Sequence, residues 1–242
     1  MVSASEAGPS DTVLEIGPGL GMLTRELVQV AGQVVAVELD RELAAELPAT
    51  LGNPHNLRVV HADALSAEFD QLVFEPYLTV ASLPYHVATP ILFKLLFHPP
   101  RPKRIVAMVQ QEVALRIAGA QDSASYLSTA ISLMADARIV RRVAPGSFFP
   151  VPKVWSAVVR LDVLDQPRAP VHSVDSFLEF LHAGFTQPRK QLHNSLGQGL
   201  GIPTDHAQDA ALQVGIDPRR RPGSLTLAEW ADLYRTIKQA EE

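Results

Sequence analysis

Two glycines and one glutamate near the start of the chain have the types and the spacing of a nucleotide-binding turn. Gly17 and Gly19 follow an apolar run, a helical pattern comes next, and a second apolar run closes on Glu38, 21 positions after Gly17. Glycines let the backbone approach a ligand closely, and a carboxylate at the tip of the second strand can accept hydrogen bonds from both ribose hydroxyls. The pattern predicts one half of a nucleotide site. The alternative is an ordinary tight turn between a strand and a helix.

A third apolar run leads into Asp63 and Ala64. Because parallel strands end at the same edge of a sheet, we expect Asp63 to lie at the edge that carries Gly17 and Glu38. There its carboxylate can accept a hydrogen bond from the exocyclic amine of an adenine, and the Ala64 amide can reach a ring nitrogen. The alternative is an Asp that caps the next helix.

The fourth strand pattern ends in Ser82, Leu83, Pro84 and Tyr85. Pro84 forces Leu83 into an extended conformation and stiffens the turn, so that a small polar side chain, backbone carbonyls and an aromatic ring are presented together. A planar base can stack on Tyr85 while its amino group donates hydrogen bonds to Ser82 and to the Leu83 carbonyl. The alternative is a stiff loop that carries a half-buried tyrosine.

The elements that must position these residues alternate between strand and helix over the first two thirds of the chain. Strand patterns lie at residues 12–16, 34–39, 57–61, 78–81, 104–109, 138–143 and 157–163. Helical patterns in the gaps between the first five predict an α/β fold with a mostly parallel sheet, and the last two strands are expected to pair as an antiparallel hairpin. Seven strands that end in this way are typical of a Rossmann-like methyltransferase rather than of a dehydrogenase.

After residue 165 the pattern becomes entirely helical. Helices are predicted at residues 174–185, 189–196, 205–214 and 226–239. We therefore expect two domains, the α/β domain at residues 1–165 and a small all-helical domain at residues 166–242.

Composition excludes several classes of protein. The chain has 242 residues, 47% of them hydrophobic, and no cysteine, which excludes disulfides, thiolate metal sites and cysteine nucleophiles. No apolar stretch reaches membrane-spanning length and the first residues lack the pattern of a signal peptide, so we expect a cytoplasmic protein without a membrane partner. The net charge of −5 argues against indiscriminate binding to polyanions, so that any surface for nucleic acid must be a local basic patch.

The order of the motifs EIGPGLGMLT, VELD, ADAL, SLPYH, MVQQEVALRIAG, FFPVPKVWSAVVRL and TQPRKQLHNSL resembles the small-subunit (16S) ribosomal RNA adenine dimethyltransferases from about residue 11 to the C-terminus. The resemblance implies a seven-stranded Rossmann-like fold that uses S-adenosylmethionine, followed by a small all-helical domain. It also implies that the targets are two adjacent adenines near the 3′ end of 16S rRNA, in the 30S subunit or its precursor. The implied enzyme is a monomer and needs no metal.

The resemblance also implies roles for individual residues. Gly17 and Gly19 would line the methionine part of the cofactor, Glu38 its ribose and Asp63 its adenine, and Leu39, Ala64 and Ser82 belong to the same cofactor site. The catalytic segment would be Ser82, Leu83, Pro84 and Tyr85, with Tyr85 as the platform on which the target base stacks. We assign RNA binding to the basic residues Lys153, Arg189, Lys190, Arg219, Arg220 and Arg221.

The sequence departs from the family pattern in four places. Ser82 stands where the family has Asn, Trp155 where it has Asp, and Pro188 where it has Arg. We interpret Trp155 and Pro188 as neutral changes and expect Ser82 to accept from the amine with a shorter reach. The family also has an N-terminal Gln-Asn-Phe-Leu segment over the cofactor, so a chain that starts at Met1 is expected to fold but to hold the cofactor loosely.

Two other functions stay open at this point. One is a ribosome-assembly or nucleic-acid-binding factor with the same fold and weak or no methyl transfer, which Ser82 and the missing N-terminal motif favour. The other is an adenine methyltransferase that acts on large-subunit rRNA, to which the family is closely related.

Overall fold

Seven strands of the chain form one sheet. The computed structural model describes residues 1–239. Its strands are β1 (Thr12–Ile16), β2 (Gln33–Glu38), β3 (Leu57–His61), β4 (Tyr77–Ser82), β5 (Arg104–Gln110), β6 (Ala135–Val143) and β7 (Ser156–Val163). Within the described residues the order across the sheet is β3-β2-β1-β4-β5-β7-β6. The pairs β3-β2, β2-β1, β1-β4 and β4-β5 are parallel, and β7 is antiparallel to β5.

Helices connect most of the strands and make up most of the C-terminal part. They are α1 (Val2–Ser5), α2 (Met22–Val30), α3 (Arg41–Thr50), α4 (Ala88–Phe97), α5 (Gln111–Ile117), α6 (Tyr126–Met134), α7 (Val174–Gly184), α8 (Leu192–Leu200), α9 (Thr204–Gln213) and α10 (Leu227–Gln239). None of the helices in residues 1–239 has the length and apolar character needed to cross a membrane.

The predicted α/β fold with seven strands is confirmed, and two local predictions are wrong. Between β3 and β4 the chain makes only a 3₁₀ turn at Phe69–Gln71, although a helix was expected in each of the first four gaps. The helix expected from residue 189 begins at Leu192, because Arg189 and Lys190 lie in the turn before it. Leu192 and Leu196 of that helix are buried, as the amphipathic pattern predicts.

The chain packs as two compact units. The first contains residues 1–114 and 136–163, and the second contains residues 115–135 together with the chain from residue 164 onward. The sequence expectation divided the chain once, after residue 165, whereas this packing groups the segment 115–135 with the C-terminal helices. An aromatic cluster of Phe177, Phe180, Trp230 and Tyr234 is buried in the second unit.

The strand register brings four strand ends to one edge of the sheet. Ile16 at the end of β1 lies opposite Val37 of β2 and Ala81 of β4. Glu38, the last residue of β2, lies opposite His61, the last residue of β3. Neighbouring strands are about 4.8 Å apart, so the segments that follow these ends must be close together.

A charged cluster around Arg160 lies at the opposite end of the sheet, where strand β5 begins. Arg160 is only 7% exposed, and its guanidinium donates to Asp162, to Glu6 and to the Ala4 carbonyl. Arg104 donates to the same two carboxylates. Burial alone would raise the pKa of Asp162, but the hydrogen bonds from Arg160 and Arg104 outweigh it and lower that pKa. The cluster therefore fastens the N-terminal segment to β5 and β7.

Replacing Arg160 by Met should lower the free energy of unfolding by about 2–3 kcal/mol, because Asp162 and Glu6 lose a buried partner with several hydrogen bonds. Urea unfolding measures this value. The control is Arg142→Met on the edge strand β6, where the side chain is exposed and a change within about 0.5 kcal/mol is expected. Equal effects of the two substitutions would contradict a stabilising role for the cluster.

Candidate active site

The glycine loop after β1 lies directly beside the end of β4. Gly17 has a φ of +70°, and its amide donates to the Val37 carbonyl at 2.9 Å. A Cβ atom at Gly17 would lie 3.8 Å from the carbonyl oxygen of Ser82. Gly19 has a φ of +55°, and the space where its side chain would begin is open. The loop thus exposes backbone next to Ser82, as expected of a ligand cradle.

Glu38 holds this loop in place. This residue is only 8% exposed, and its carboxylate accepts from the Gly19 amide at 3.0 Å through Oε2 and from the Asp40 amide at 2.9 Å through Oε1. Asp40 in turn caps α3 by accepting from the amides of Glu42 and Leu43. A carboxylate has about four acceptor positions, so Glu38 can also accept from two hydroxyls of a ligand.

The segment after β3 forms a tight turn around Asp63. Its Oδ1 accepts from the Leu65 amide at 2.9 Å, and its carbonyl accepts from the amides of Ser66 and Ala67. The Asp therefore caps a turn rather than a helix, and its second carboxylate oxygen gives it further acceptor capacity. Leu39, which follows β2, is an exposed apolar side chain at the end of the neighbouring strand.

The segment after β4 has the predicted mixture of fixed backbone and exposed polar groups. Ser82 and Pro84 are exposed, whereas Leu83 is buried and its amide donates to the Met108 carbonyl at 3.2 Å. The half-buried Tyr85 forms a hydrogen bond of 2.7 Å between its hydroxyl and that of the fully buried Ser156 at the start of β7. This bond fixes one end of the Tyr85 ring.

The sequence reasoning missed Lys94, which organises the turn after β3. From α4, its ammonium group donates to the carbonyls of Ala64 (3.1 Å), Leu65 (2.9 Å) and Ala67 (2.5 Å), and it lies 4.6 Å from the centre of the Phe69 ring. Burial lowers the pKa of Lys94, although the nearby carboxylates oppose this shift. The signal in the sequence was one lysine in an otherwise apolar helix.

Glu15 was also missed, although it stands as an acidic residue in the apolar run before Gly17. Its side chain is fully buried in β1, and no well-formed hydrogen bond joins either carboxylate oxygen to the nearby Thr24 hydroxyl. Burial raises the pKa of Glu15 to about 7; the nearby Thr24 hydroxyl opposes this shift, and the negative charge of Glu38 adds to it. Unpaired buried carboxyls are rare, and those beside a cleft are candidates for a functional role.

The basic residues predicted from the sequence differ in how they are held. The amide of Leu192, just after Arg189 and Lys190, donates to the carbonyl of Arg220 at 2.7 Å, so the two basic segments of the second unit are adjacent. The Arg220 guanidinium binds the Glu229 carboxylate at 2.5 and 3.1 Å, which gives this residue a structural role. Exposed cationic positions are Arg189, Lys190, Arg219 and Arg221, and Lys153 in the first unit.

Comparison with known proteins identifies the family. The model of the family described as ribosomal RNA adenine dimethylase matches residues 1–239. The chain belongs to this family. A ribosomal RNA small subunit methyltransferase A from Moorella thermoacetica is 40% identical over 247 residues, covering 97% of this chain and 85% of the relative.

Two solved structures extend the comparison over almost the whole chain. A dimethyladenosine transferase from Plasmodium falciparum has a TM-score of 0.80 and 25% identity, with 99% of this chain and 94% of that chain covered. The 23S rRNA methyltransferase ErmE has a TM-score of 0.75 and 29% identity, with coverage of 98% and 95%. The predicted family, fold and S-adenosylmethionine-dependent adenine methyltransferase activity are confirmed.

The residues present fit the methyl donor of this family. A cationic ligand suits the unpaired carboxyl of Glu15, ribose hydroxyls suit Glu38, and the open side of Gly19 leaves room for a close approach. Among residues 1–239 no three His, Cys, Asp or Glu side chains converge in a group suited to a metal ion.

Substitution of Glu15 by Gln should make the unliganded enzyme more stable at pH 8 than the native chain. The folded state keeps the proton on Glu15 up to about pH 7, whereas the unfolded chain releases it near pH 4.5. The contribution of protonated Glu15 to the free energy of unfolding is therefore fully present below pH 4.5. It is lost as the pH rises to 7, which lowers the free energy of unfolding by on the order of 3 kcal/mol. Urea unfolding at pH 5 and pH 8 tests this, and an equal pH dependence in both proteins would contradict it.

Substitution of Lys94 by Met should weaken the binding of S-adenosylhomocysteine about tenfold, or roughly 1.4 kcal/mol, because the turn that carries Asp63 loses three charge-assisted hydrogen bonds. Lys94→Arg retains the charge and should lose less. Lys103→Met is the control, since Lys103 pairs with Asp11 at the opposite edge of the sheet. Calorimetry that gives the same affinity for Lys94→Met and Lys103→Met would refute the positioning role.

Proposed function

We propose that this enzyme transfers methyl groups from S-adenosylmethionine to the exocyclic amines of two adjacent adenines near the 3′ end of 16S rRNA. The substrate is the 30S subunit or its precursor, and the enzyme acts as a monomer in the cytoplasm. The observation that carries the proposal is the contact between the glycine loop and the end of β4, because it puts a nucleotide cradle next to the Ser82 to Tyr85 segment. The named function of the Moorella relative supports the choice of the small subunit.

Each part of the methyl donor has a matching group at the carboxyl edge of the sheet. Gly17 and Gly19 leave room for the methionine part, and Glu15 supplies a negative charge behind them. Glu38 accepts from the ribose while the apolar Leu39 lies beside it. When bound, S-adenosylmethionine would supply a sulfonium methyl group that a nucleophile can attack directly, with S-adenosylhomocysteine as the leaving group.

The Asp63 turn completes the cofactor site. The Asp63 carboxylate accepts from the adenine amine, and Ala64 contributes its amide to a ring nitrogen. The ammonium group of Lys94 fixes this turn by donating hydrogen bonds to the backbone carbonyls of Ala64 and Leu65.

The segment after β4 holds the target base. Tyr85 provides the stacking surface, and Ser82 together with the Leu83 carbonyl accepts hydrogen bonds from the amine. These acceptors draw the amine nitrogen out of conjugation with the ring, and the rigid Pro84 keeps the nitrogen aligned with the methyl group. His86 is an exposed neighbour of this segment, and the proton of the product leaves to solvent.

Docking of the ribosomal particle uses the exposed cations. Arg189, Lys190, Arg219 and Arg221 form one basic surface on the second unit, and Lys153 lies on the first. Arg220 supports the first of these surfaces through its bond with Glu229. Because these cations neutralise RNA phosphates and release their counterions, the affinity for RNA falls as the salt concentration rises.

The deciding experiment incubates the purified chain with S-adenosylmethionine and ribosomal subunits from cells that lack this modification. Mass spectrometry of the 3′ fragment of 16S rRNA should show two dimethylated adenines. Methylation of 23S rRNA instead would identify a large-subunit enzyme. Binding of S-adenosylhomocysteine and of 30S particles without any methylation would identify a non-catalytic factor.

Tyr85→Ala should lower kcat/KM for 30S particles by about 5- to 150-fold, which corresponds to the loss of about 1–3 kcal/mol of stacking. Tyr85→Phe keeps the ring and loses only the bond to Ser156, so a loss of about three- to tenfold is expected. Ser156→Ala should match Tyr85→Phe, and the double variant should be no worse than either. Additive losses in this cycle would show that the hydroxyl pair does not orient the ring.

A further inference from the structure

One stretch of this acidic protein carries only positive charge. The chain has a net charge of −5, yet no acidic residue lies between Asp136 and Asp162. The exposed cations in this stretch are Arg138, Arg141, Arg142 and Lys153. Three of them lie on β6, which is the edge strand of the sheet. A local excess of this kind attracts a polyanion even when the whole protein would repel one.

The loop between β6 and β7 adds large apolar side chains to this charge. Residues 148–155, here named the aromatic loop, include Phe149, which is fully exposed, and Trp155, which is 49% exposed. Val151 and Val154 are exposed in the same loop. Large apolar groups gathered in one exposed segment usually mark an interaction site.

The aromatic loop ends at the base-binding segment. The carbonyl of Trp155 accepts from the Gln111 amide at 2.9 Å, which fixes its backbone at the end of β5. The next residue is Ser156, whose hydroxyl binds that of Tyr85. Trp155 therefore lies one residue from the group that anchors the proposed platform for the target base.

We propose that Trp155, assisted by Phe149, stacks on an unpaired nucleotide that flanks the target adenine, while the cations of β6 and Lys153 contact its phosphates. The proposal rests on the function proposed above and extends it to a second base. Exposed aromatic rings among cations are the usual means of holding single-stranded RNA, because every base offers a flat face. A nucleic acid suits this stretch better than a protein does, because residues 137–161 contain cations and no carboxylate, and RNA supplies a negative charge at every phosphate. Trp155 is then a functional replacement rather than a neutral one.

The two tryptophans of the chain provide a direct test. Trp230 is fully buried in the second unit, so added RNA should affect only the fluorescence of Trp155. Titration with a short single-stranded oligoribonucleotide containing two adjacent adenines should quench the native protein in a saturable manner. Trp155→Phe should show no such quenching and should bind S-adenosylhomocysteine as the native enzyme does. Heparin, which has charge but no bases, should quench neither protein.

Kinetics provide the second readout. Trp155→Ala should raise KM for 30S particles about five- to tenfold with little change in kcat, and Trp155→Phe should restore most of the affinity. Leu212→Ala, which removes another exposed apolar side chain, is the matched control and should change neither constant.

The proposal is overturned if RNA leaves the fluorescence unchanged, if heparin quenches as strongly as RNA, or if Trp155→Ala keeps the native KM. Its failure is distinct from failure of the proposed function. A protein that is quenched by RNA but methylates no ribosomal subunit would retain the stacking surface and lose the enzymatic assignment. A protein that methylates 16S rRNA without any quenching would keep the enzymatic assignment and lose the stacking surface.

Discussion

The register of the parallel strands is the constraint on which the site depends. Because Ile16 lies opposite both Val37 and Ala81, the segments after β1, β2 and β4 begin at the same height. Only this register allows Glu38 to accept from the Gly19 amide and allows Gly17 to lie against Ser82. A slip of one residue would turn each side chain to the opposite face of the sheet. The apolar runs that bury both faces of these strands therefore also determine the geometry of the site.

Buried charge is paired at one end of the sheet and unpaired at the other. Arg160 is almost as buried as Glu15, but it binds two carboxylates and a carbonyl, so its burial costs little and fastens the N-terminal segment. Glu15 has no such partner and is held partly protonated near neutral pH. An unpaired carboxyl lowers the stability of the unliganded fold, and a cationic ligand would remove that cost. The uncompensated charge lies at the edge where a ligand is expected.

The elements and the family could be predicted from the sequence because both depend on local patterns. Runs of β-branched residues indicated the strands, and the ordered motifs, among them Gly17 to Gly19 with Glu38, indicated the family. The role of these residues in binding the cofactor stays a prediction. Contacts between distant residues could not be predicted in this way. Lys94 reaches carbonyls about 30 positions earlier, and Tyr85 finds Ser156 71 positions later. The same reason explains Arg220, which had the appearance of a free cation until the fold placed Glu229 beside it.

The separation of charge in the first unit fits two ligands of opposite sign. Glu15, Glu38 and Asp63 cluster at the ends of β1 to β3, where they favour a small cationic ligand and disfavour phosphate. All charged residues from Arg138 to Lys153 are cations. This stretch lies on β6 and in the loop that leads to β7, at the other end of the strand order. The end of β4 lies between these regions in the strand order. Under the proposed function, a polyanion drawn to the cations would be kept away from the carboxylates and would meet the cofactor only at Ser82 and Tyr85, where a single uncharged base can enter.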